Sequence, residues 1–377
     1  MEDNKNIIVL THPLSNNYGC ILQAYAMQVV LQRMGFNVET DRNGCRIKDN
    51  ATIAKKGARL LYQFYKQATG HIIESKHNKR IISVNTRAFV DNNINVVDFF
   101  EENHISSNAA INKYGTFIVG SDQVWRKGMM DINAYFLPFV CDDGKKKIAY
   151  AASFGKDEIN DWTKEEIELY SKLLSKFDGV SVREDSGVRI CREQLGIEAL
   201  HVLDPTMLLD KEEYDSLIDK QASSYKDSLF CYVLDKSSEK KTIIDSISNN
   251  LRLVPKEIMP KHKIGDKWSR IEDCVFPSVS EWLSGFRDSK FVVTDSFHGT
   301  VFSIIFNKPF LAIGNKARGL SRFTSLLHMF GLEDRLISEV DDLNRINDMS
   351  INYTVVNRTI DVWRNNSLSF LKTKLNK

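Results

Sequence analysis

The sequence predicts an α/β protein of two Rossmann-like domains that face each other across a cleft. Apolar runs of strand length alternate with helix-length amphipathic segments, the pattern typical of parallel sheets covered by helices. Several of these runs end in a polar cluster, as expected where strands share one ligand-binding edge. The chain has 377 residues, which is too long for one ordinary core, so two domains are expected.

The first domain is predicted to span residues 1–206. Helices are expected at 21–34, 163–177 and 185–195, and strands at 6–11, 36–40, 116–120, 147–152, 179–182 and 199–203. The first strand, helix and second strand form a βαβ opening with a polar loop at the ligand edge. The loop lacks the pattern GxGxxG, so a dinucleotide site is not expected there.

The second domain is predicted to span residues 207–355 and to begin with a polar linker. Strands are expected at 229–234, 253–254, 291–294 and 310–313, with helices at 239–250, 278–288 and 320–330. The remaining segment, 356–377, contains a terminal helix at 361–371 that is expected to pack back on the first domain.

Composition excludes several functional classes. Lys and Arg number 51 against 49 Asp and Glu, a balance that argues against a dedicated nucleic-acid binder. The six cysteines are dispersed without metal-ligand spacing, so free thiols and no metal are expected. The N-terminus is acidic and polar, and no apolar run approaches the roughly 20 residues needed to cross a bilayer. We therefore expect a cytoplasmic protein.

The segment 51–87 differs from the rest of the chain. It carries eight Lys and Arg residues against the single acid Glu74, with Tyr62, Phe64 and Tyr65 among them. A basic helix with interleaved aromatic residues fits peripheral contact with an anionic surface at the inner face of a membrane. The alternative is a solvated helical excursion without a partner.

The stretch 291–306, FVVTDSFHGTVFSIIF, reads as a buried strand, a polar turn and an apolar helix that starts near Thr300. Such a turn lies at the carboxyl end of a parallel sheet, where α/β folds bind ligands. The unpaired N–H groups of a first helical turn favour an anion. We therefore predict an anion site here, with His298 handling a proton.

Six short motifs in a fixed order give the chain a family resemblance. They are NYGC with LQA at 17–24, GSDQVW at 120–125, YAAS at 150–153, SVRE at 181–184, DPT at 204–206 and TDSFHG at 294–299. Together they resemble the polysaccharide pyruvyl transferase family, over residues from near the start of the chain to about 330.

This resemblance implies a glycosyltransferase B-like fold and a specific reaction. Members of the family transfer a pyruvyl group from phosphoenolpyruvate to two hydroxyls of a sugar, forming a cyclic ketal. Their acceptors are sugars of surface polysaccharides or of lipid-linked precursors. By similarity, Arg183 contacts the donor and His298 is the catalytic acid and base. No cofactor is expected beyond phosphoenolpyruvate itself.

The other residues of the 294–300 turn also have candidate roles at this site. Asp295 orients the histidine, accepts a hydrogen bond from a sugar hydroxyl, or caps the helix, and the sequence leaves these roles open. Ser296 and Thr300 offer hydroxyl or amide donors to phosphate. Phe297 is expected to pack, with its backbone N–H near the donor, and Gly299 completes the donor-binding turn.

The chain departs from the family at Ser296, where many members carry an arginine. Arg318 and Arg322, spaced four residues apart in RGLSR, would lie on one face of a helix. We predict that Arg322, with Arg318, supplies the missing grip on the donor, because arginine binds phosphate and carboxylate bidentately. The alternative is a surface arginine pair.

The polar clusters of the first domain suit a sugar acceptor. Hydroxyl, amide and carboxylate groups give directional hydrogen bonds, and aromatic rings give stacking faces. The candidate acceptor-binding residues are Asn17, Tyr18, Ser121, Asp122, Gln123, Trp125 and Ser153. Each alone also fits a turn or core role.

Two other functions remain open from the sequence. One is a glycosyltransferase that uses a nucleotide sugar, with Glu333 or Asp334 binding the nucleotide. The other is a glycan-binding protein without catalysis, which the presence of both Arg183 and His298 disfavours.

Overall fold

A computed structural model of the protein describes residues 5–47, 52–101, 104–105, 107–141, 144–219, 224–268, 270–314, 319–345 and 349–376. Within these ranges, two separate parallel β-sheets are each flanked by helices. The predicted α/β class with two Rossmann-like units is confirmed. The predicted boundary at 206/207 falls in a short 3₁₀ turn, Pro205–Leu208, between the two sheets.

The first sheet has seven parallel strands in the order β3-β2-β1-β6-β7-β8-β9. The strands of this unit are β1 (Asn6–Leu10), β2 (Asn37–Asp41), β3 (Val96–Val97), β6 (Thr116–Val119), β7 (Lys146–Ala152), β8 (Gly179–Val182) and β9 (Leu200–His201), and β4 (Phe100–Glu101) pairs with β5 (His104–Ile105) outside the sheet. Its helices are α1 (Tyr18–Arg33), α2 (Ile53–Ala68), α3 (Lys76–Ile82), α4 (Val84–Asn93), α5 (Asn108–Asn112), α6 (Lys164–Leu174) and α7 (Asp185–Gln194).

The second sheet has five parallel strands in the order β11-β10-β12-β13-β14. They are β10 (Leu229–Tyr232), β11 (Pro255–Glu257), β12 (Phe291–Thr294), β13 (Phe310–Ile313) and β14 (Leu336–Ile337). The helices of this half are α8 (Lys211–Asp215), α9 (Ser238–Leu251), α10 (Val279–Asp288), α11 (Phe297–Ile305) and α12 (Ser321–Phe330). The final helix, α13 (Tyr353–Leu375), begins eight residues before its predicted start and packs on β7 of the first sheet.

Two helices start earlier than the apolar pattern predicts because a polar residue caps each of them. Asn17 accepts a hydrogen bond from the Cys20 N–H at 3.2 Å, so α1 begins at Tyr18. Ser296 accepts from the Gly299 N–H at 3.3 Å, so α11 begins at Phe297. Side-chain caps of this kind satisfy N–H groups that have no partner inside the helix. As a result, His298 lies within the first turn of α11 rather than before it.

One apolar cluster continues from the first unit into the second. The Tyr18 ring of α1 stacks on Trp282 of α10 at 5.3 Å between centroids, and its hydroxyl donates to the Pro277 carbonyl oxygen at 2.8 Å. Large buried aromatic rings contribute strongly to the stability of a protein core. The two units are therefore joined by a shared core directly beneath the start of α1.

The segment that follows β2 forms the exposed helix α2 and the short helix α3, and the next helix, α4, was not predicted from the sequence. Throughout the described residues, no helix combines the length and the apolar character required to span a membrane. The helices of this segment therefore do not supply a membrane-spanning element.

Candidate active site

Four helices begin at the facing edges of the two sheets. Helices α1 and α7 follow strands of the first sheet, and α11 and α12 follow strands of the second. In parallel sheets these starts lie at the carboxyl ends of the strands, where ligands bind. The first-turn N–H groups and helix dipoles favour negative charge at such a position.

The first turns of α1 and α11 touch through Gly19 and His298. A Cβ atom placed on Gly19 would lie 2.7 Å from His298 Cβ and closer still to the imidazole ring. Side chains do not tolerate such a distance, so only glycine allows the two helices to approach this closely. The imidazole of the second unit therefore rests directly on the backbone of the first.

Asp204, which follows β9, is the carboxylate at the centre of the site. Its Oδ2 accepts hydrogen bonds from Arg183 Nη1 at 2.7 Å and Ser121 Oγ at 3.0 Å. His298 Nε2 lies 3.5 Å from the same oxygen. The other oxygen, Oδ1, accepts from Thr206 Oγ1 at 2.7 Å. Asp204 therefore links Arg183 of the first unit to His298 of the second.

The charges around Asp204 determine its protonation state. Burial alone would raise the pKa of this carboxyl, but the neighbouring His298 and Arg183 hold the pKa well below its usual range. Burial likewise opposes ionisation of Asp122, yet His12, Arg183 and His298 lower its pKa to about 2. Both carboxylates are therefore anionic at neutral pH.

Arg183 is fully enclosed between these carboxylates and the second unit. Its Nη2 lies 3.6 Å from Asp122 Oδ1. Within the described part of the chain, Nε and Nη2 have no hydrogen-bond partner although both atoms are buried. These two nitrogens form the edge of a guanidinium that binds carboxylate or phosphate bidentately. This edge of Arg183 is therefore buried without a hydrogen bond among the described residues, and the Asp122 carboxylate is its ionic neighbour.

Arg322, in the first turn of α12, lies close to Arg183. Both guanidinium carbons lie over the Phe297 ring, that of Arg183 at 4.4 Å from its centroid and that of Arg322 at 5.8 Å. Burial and repulsion from Arg183 lower the pKa of Arg322 to about 10. Two buried cations on one ring would be stabilised by an anion between them. Phe297 packs as predicted and also serves as the platform for both arginines.

Glu184 holds the loop that contains Phe154 and Gly155. Its Oε1 accepts from the Phe154 N–H at 2.8 Å and from the Gly155 N–H at 3.3 Å. A Cβ on Gly319 would lie 2.5 Å from the Gly155 carbonyl oxygen, so this loop touches the chain just before α12. Burial raises the pKa of Glu184, with Arg183 opposing the shift.

Asp295 does not orient His298 in the structure. Its carboxylate accepts from the backbone N–H of Leu234 at 2.7 Å and of Asp235 at 3.1 Å, and pairs with Lys240 at 2.6 Å. It does not cap α11 either, because Ser296 has that role. Asp295 instead anchors the loop after β10, and Asp204 is the carboxylate that faces the histidine.

The remaining residues of the turn hold its backbone in place. The Thr300 hydroxyl donates to the Ser296 carbonyl oxygen at 3.2 Å, and Ser296 Oγ is the cap of α11. A Cβ on Gly299 would lie 2.9 Å from Thr294 Cβ, so glycine is required for the turn to pack on its own strand. The predicted donor contacts of these residues stay predictions.

Arg318 lies outside the described residues, so its predicted pairing with Arg322 stays a prediction. Helix α12 begins at Ser321, and Arg322 in its first turn lies beside Arg183.

Two of the predicted acceptor residues are core residues. Trp125 is fully buried, its ring stacks on Phe136 at 5.3 Å, and its Nε1 donates to the Tyr135 carbonyl oxygen. Tyr18 is also fully buried, against Trp282. The prediction that their rings offer stacking faces to a sugar is wrong, because packing covers them.

The other candidates of the first domain support the charged cluster rather than line an open surface. Ser121 donates to Asp204, and Gln123 Oε1 accepts from Arg126 Nη1 at 2.7 Å. Ser153 Oγ accepts from the Gly155 N–H at 3.0 Å. With Asp122, these side chains are buried, whereas Asn17 is exposed at the cap of α1. Their roles toward an acceptor stay predictions.

Sequence reasoning gave no role to three residues that the structure brings into the site: Gly19, His12 and Asp204. The Nε2–H of His12 donates to the Gln123 carbonyl oxygen at 3.1 Å, and its Nδ1 lies 3.7 Å from Asp122. His12 and Asp204 both follow strands of the first sheet, so their position at its carboxyl edge was a usable signal. The close approach at Gly19 has no such signal.

The two residues considered for a nucleotide site, Glu333 and Asp334, each pair with another side chain and do not form a common site. Glu333 is exposed and pairs with His328 Nδ1 at 2.7 Å, and Asp334 pairs with Arg335 at 2.9 Å. Among the described residues, no group of three or more His, Cys, Asp or Glu is placed to hold a metal ion.

The fold is that of a two-unit α/β protein with a buried cluster of charged side chains between its sheets. The sequence model of polysaccharide pyruvyl transferases matches residues 17–317, and the chain belongs to this family. It is thus a transferase of polysaccharide biosynthesis by family. No curated protein sequence matches the chain.

Several solved structures are similar to the chain at low identity. S. aureus MnaA, in a co-structure with UDP, is 11% identical with a TM-score of 0.49, over 98% of this chain and 97% of that chain. The UDP-GlcNAc 2-epimerase of Methanocaldococcus jannaschii is 12% identical with a TM-score of 0.45, over 95% and 98%. UGT89C1 of Arabidopsis thaliana, complexed with quercetin, is 8% identical with a TM-score of 0.47, over 98% and 99%.

Proposed function

We propose that the protein transfers a pyruvyl group from phosphoenolpyruvate to two hydroxyls of a sugar, forming a cyclic ketal and releasing phosphate. The acceptor belongs to a surface polysaccharide such as an exopolysaccharide or capsule, or to its lipid-linked precursor. The reaction takes place on the cytoplasmic side and uses no cofactor beyond the donor.

The buried edge of Arg183 is the observation that carries this proposal. Its Nε and Nη2 have no hydrogen-bond partner among the described residues, and Arg322 adds a second buried cation whose pKa is lowered. Phosphoenolpyruvate has both a carboxylate and a phosphate. One anionic group binds Arg183 bidentately, and the other binds Arg322 and the first-turn N–H groups of α11.

In this proposal, His298 transfers the protons. The reaction requires a proton from the histidine on C3 of the enol phosphate, which leaves a cation at C2. One sugar hydroxyl attacks C2 and returns a proton to the histidine. The C2–O bond to phosphate then breaks with its electron pair on phosphate, and the second hydroxyl bonds to C2 and gives its proton to the departing phosphate, which closes the ring. A histidine can donate the first proton and accept a hydroxyl proton near neutral pH.

Asp204 supports the histidine in this scheme. The anionic carboxylate lies 3.5 Å from His298 Nε2, so it stabilises a protonated ring and sets its orientation. A neighbouring carboxylate that orients a catalytic histidine and stabilises its charged form is a recurring arrangement. Because Asp204 also holds Arg183, donor binding and proton transfer depend on the same carboxylate.

Mass spectrometry tests the proposal directly. Candidate glycans are incubated with the protein and phosphoenolpyruvate, and phosphate release is followed in parallel. A gain of about 70 Da on the glycan, as condensation of pyruvate with two hydroxyls requires, supports the reaction class. Release of nucleoside diphosphate from a nucleotide sugar, with no mass gain from phosphoenolpyruvate, identifies the rival glycosyltransferase instead.

A further inference from the structure

Helix α2 carries large apolar side chains that no part of the described chain covers. Leu61 is 72% exposed, Phe64 67% and Tyr65 65%. Leu60 is exposed with them. A contiguous apolar patch of this kind on a monomer marks an interaction surface.

The sequence of α2 divides its surface into an apolar and a cationic face. Leu60 and Phe64 form one i, i+4 pair and Leu61 and Tyr65 another, so the four residues share one face of the helix. Lys55, Arg59 and Lys66 lie at positions on the opposite face. Helices with this division lie in the plane of a membrane interface.

A loop of the second unit places a tryptophan beside the C-terminal end of α2. The Gly265 N–H donates to the Ile72 carbonyl oxygen at 2.9 Å, and the Trp268 N–H donates to the Gly70 carbonyl oxygen at 2.8 Å. Trp268 itself is 78% exposed. Tryptophan is enriched at membrane–water interfaces because its ring is apolar and its N–H is polar. The second unit thus adds an exposed aromatic residue beside the C-terminal end of α2.

A cationic groove of about 580 Å³ lies between the two units beyond this loop. Its lining includes one acid, Glu74, and the cations Arg42, Arg46, Lys79, Arg80, Arg87 and Lys263. The loop 13–16 also lines the groove and leads into Gly19 beside His298. The groove is therefore next to the candidate active site but separate from its charged cluster.

The charge of the chain is concentrated on this side. Residues 51–87 contain eight Lys and Arg against one Glu, which leaves 43 Lys and Arg against 48 Asp and Glu in the rest of the chain. The net charge of the whole chain is only +2 because a strongly basic segment is offset by an acidic remainder. Such a segment complements an anionic surface.

We propose that α2, Trp268 and the cationic groove form a docking surface for an anionic phospholipid membrane. The apolar face of α2 and Trp268 enter the interfacial layer, and the groove cations bind lipid phosphates. The surface goes beyond the proposed reaction and does not depend on it. If the acceptor is lipid-linked, docking brings the cleft to the plane in which the acceptor lies.

Vesicle flotation without any substrate tests the docking surface. Vesicles of phosphatidylcholine are compared with vesicles that also contain about one third phosphatidylglycerol. The protein should float with the anionic vesicles only, and high salt should release it. The double variant Leu61→Ser/Phe64→Ser should lower partition at least about tenfold, and Arg80→Glu by about fivefold or more.

Matched variants on α13 provide the control. Val355→Ser/Val362→Ser removes two apolar side chains that are 54% and 60% exposed and should leave partition unchanged. All variants should keep the wild-type melting temperature, because every substituted side chain is exposed.

Three outcomes overturn the proposal. In the first, the protein floats equally with neutral and anionic vesicles. In the second, the α2 variant floats as well as the wild type. In the third, the wild type does not float but forms a dimer, and the α2 variant dissociates that dimer. The last outcome would assign the face to a second copy of the chain. Because no phosphoenolpyruvate is present, none of these outcomes bears on the proposed reaction.

Discussion

Gly19 and His298 are in backbone-to-ring contact across the two units, and the contact leaves no space for a side chain on Gly19. Gly19→Ala should displace the imidazole and reduce turnover at least about tenfold, because a shift on the order of 1 Å disturbs reacting geometry. Gly57→Ala in α2 is the matched control, since a Cβ there meets nothing within 4 Å. Equal loss of activity in both variants would show that the contact is not specific to the site.

Removal of the imidazole should abolish most of the activity. His298→Ala should lower kcat for phosphate release from phosphoenolpyruvate by about 100-fold or more, the usual contribution of a general acid or base. Circular dichroism should show an unchanged fold. Activity within about threefold of wild type would remove His298 from the mechanism.

The two aspartates near the histidine should behave differently. Asp204→Asn removes the charge that Arg183 and His298 share, so it should cost about 3 kcal/mol of unfolding free energy and most of the turnover. Asp295→Asn should destabilise the second unit through the loss of its ion pair with Lys240, while kcat per folded molecule changes less than about tenfold. The reverse ranking in kcat would restore Asp295 as the catalytic carboxylate.

Arg322 should increase the affinity for the donor without stabilising the fold. Burial and Arg183 lower its pKa, so Arg322→Gln should leave the melting temperature unchanged or raise it. The same variant should raise the KM for phosphoenolpyruvate at least about tenfold, because a charged hydrogen bond to the donor is lost. Arg287→Gln, which removes a partly exposed arginine paired with Asp288, should leave that KM unaltered.

Asp122 should make the free energy of unfolding depend on pH below about pH 4. Its folded pKa is about 2, whereas the unfolded value is about 3.9, so its ionised form stabilises the fold above pH 4. This contribution, on the order of 2 kcal/mol, is lost as pH falls from about 4 towards 2. The free energy of unfolding of Asp122→Asn, measured with denaturant, should not show this loss. The difference in unfolding free energy between wild type and variant should therefore become smaller as pH falls from about 4 towards 2. Asparagine also tolerates the positive φ of 69° at this position.

The strands and most helices were predictable because their signals are local. The strand 291–294 and the helix that starts at Asp185 follow directly from buried apolar runs and helical periodicity. The start of α11 was missed because the cap at Ser296, rather than the apolar pattern, determines where that helix begins.

The site itself was only partly predictable, because its decisive contacts join distant parts of the chain. Arg183 and His298 were identified through family motifs, but the pairing of each with Asp204 depends on how the two sheets face each other. Trp125 was misassigned because a buried aromatic residue and a sugar-stacking one look alike in a single sequence. The predicted pairing of Arg318 with Arg322 stays a prediction, because Arg318 lies outside the described residues.

The terminal helix α13 braces the passage of the chain from the first unit to the second. Arg364 of α13 donates from Nε to the Met207 carbonyl oxygen at 3.0 Å, and Ser367 accepts from the Leu203 N–H at 3.0 Å. Asp204 lies between these two anchored positions. The last helix of the chain therefore holds in place the segment that carries the central carboxylate of the candidate site.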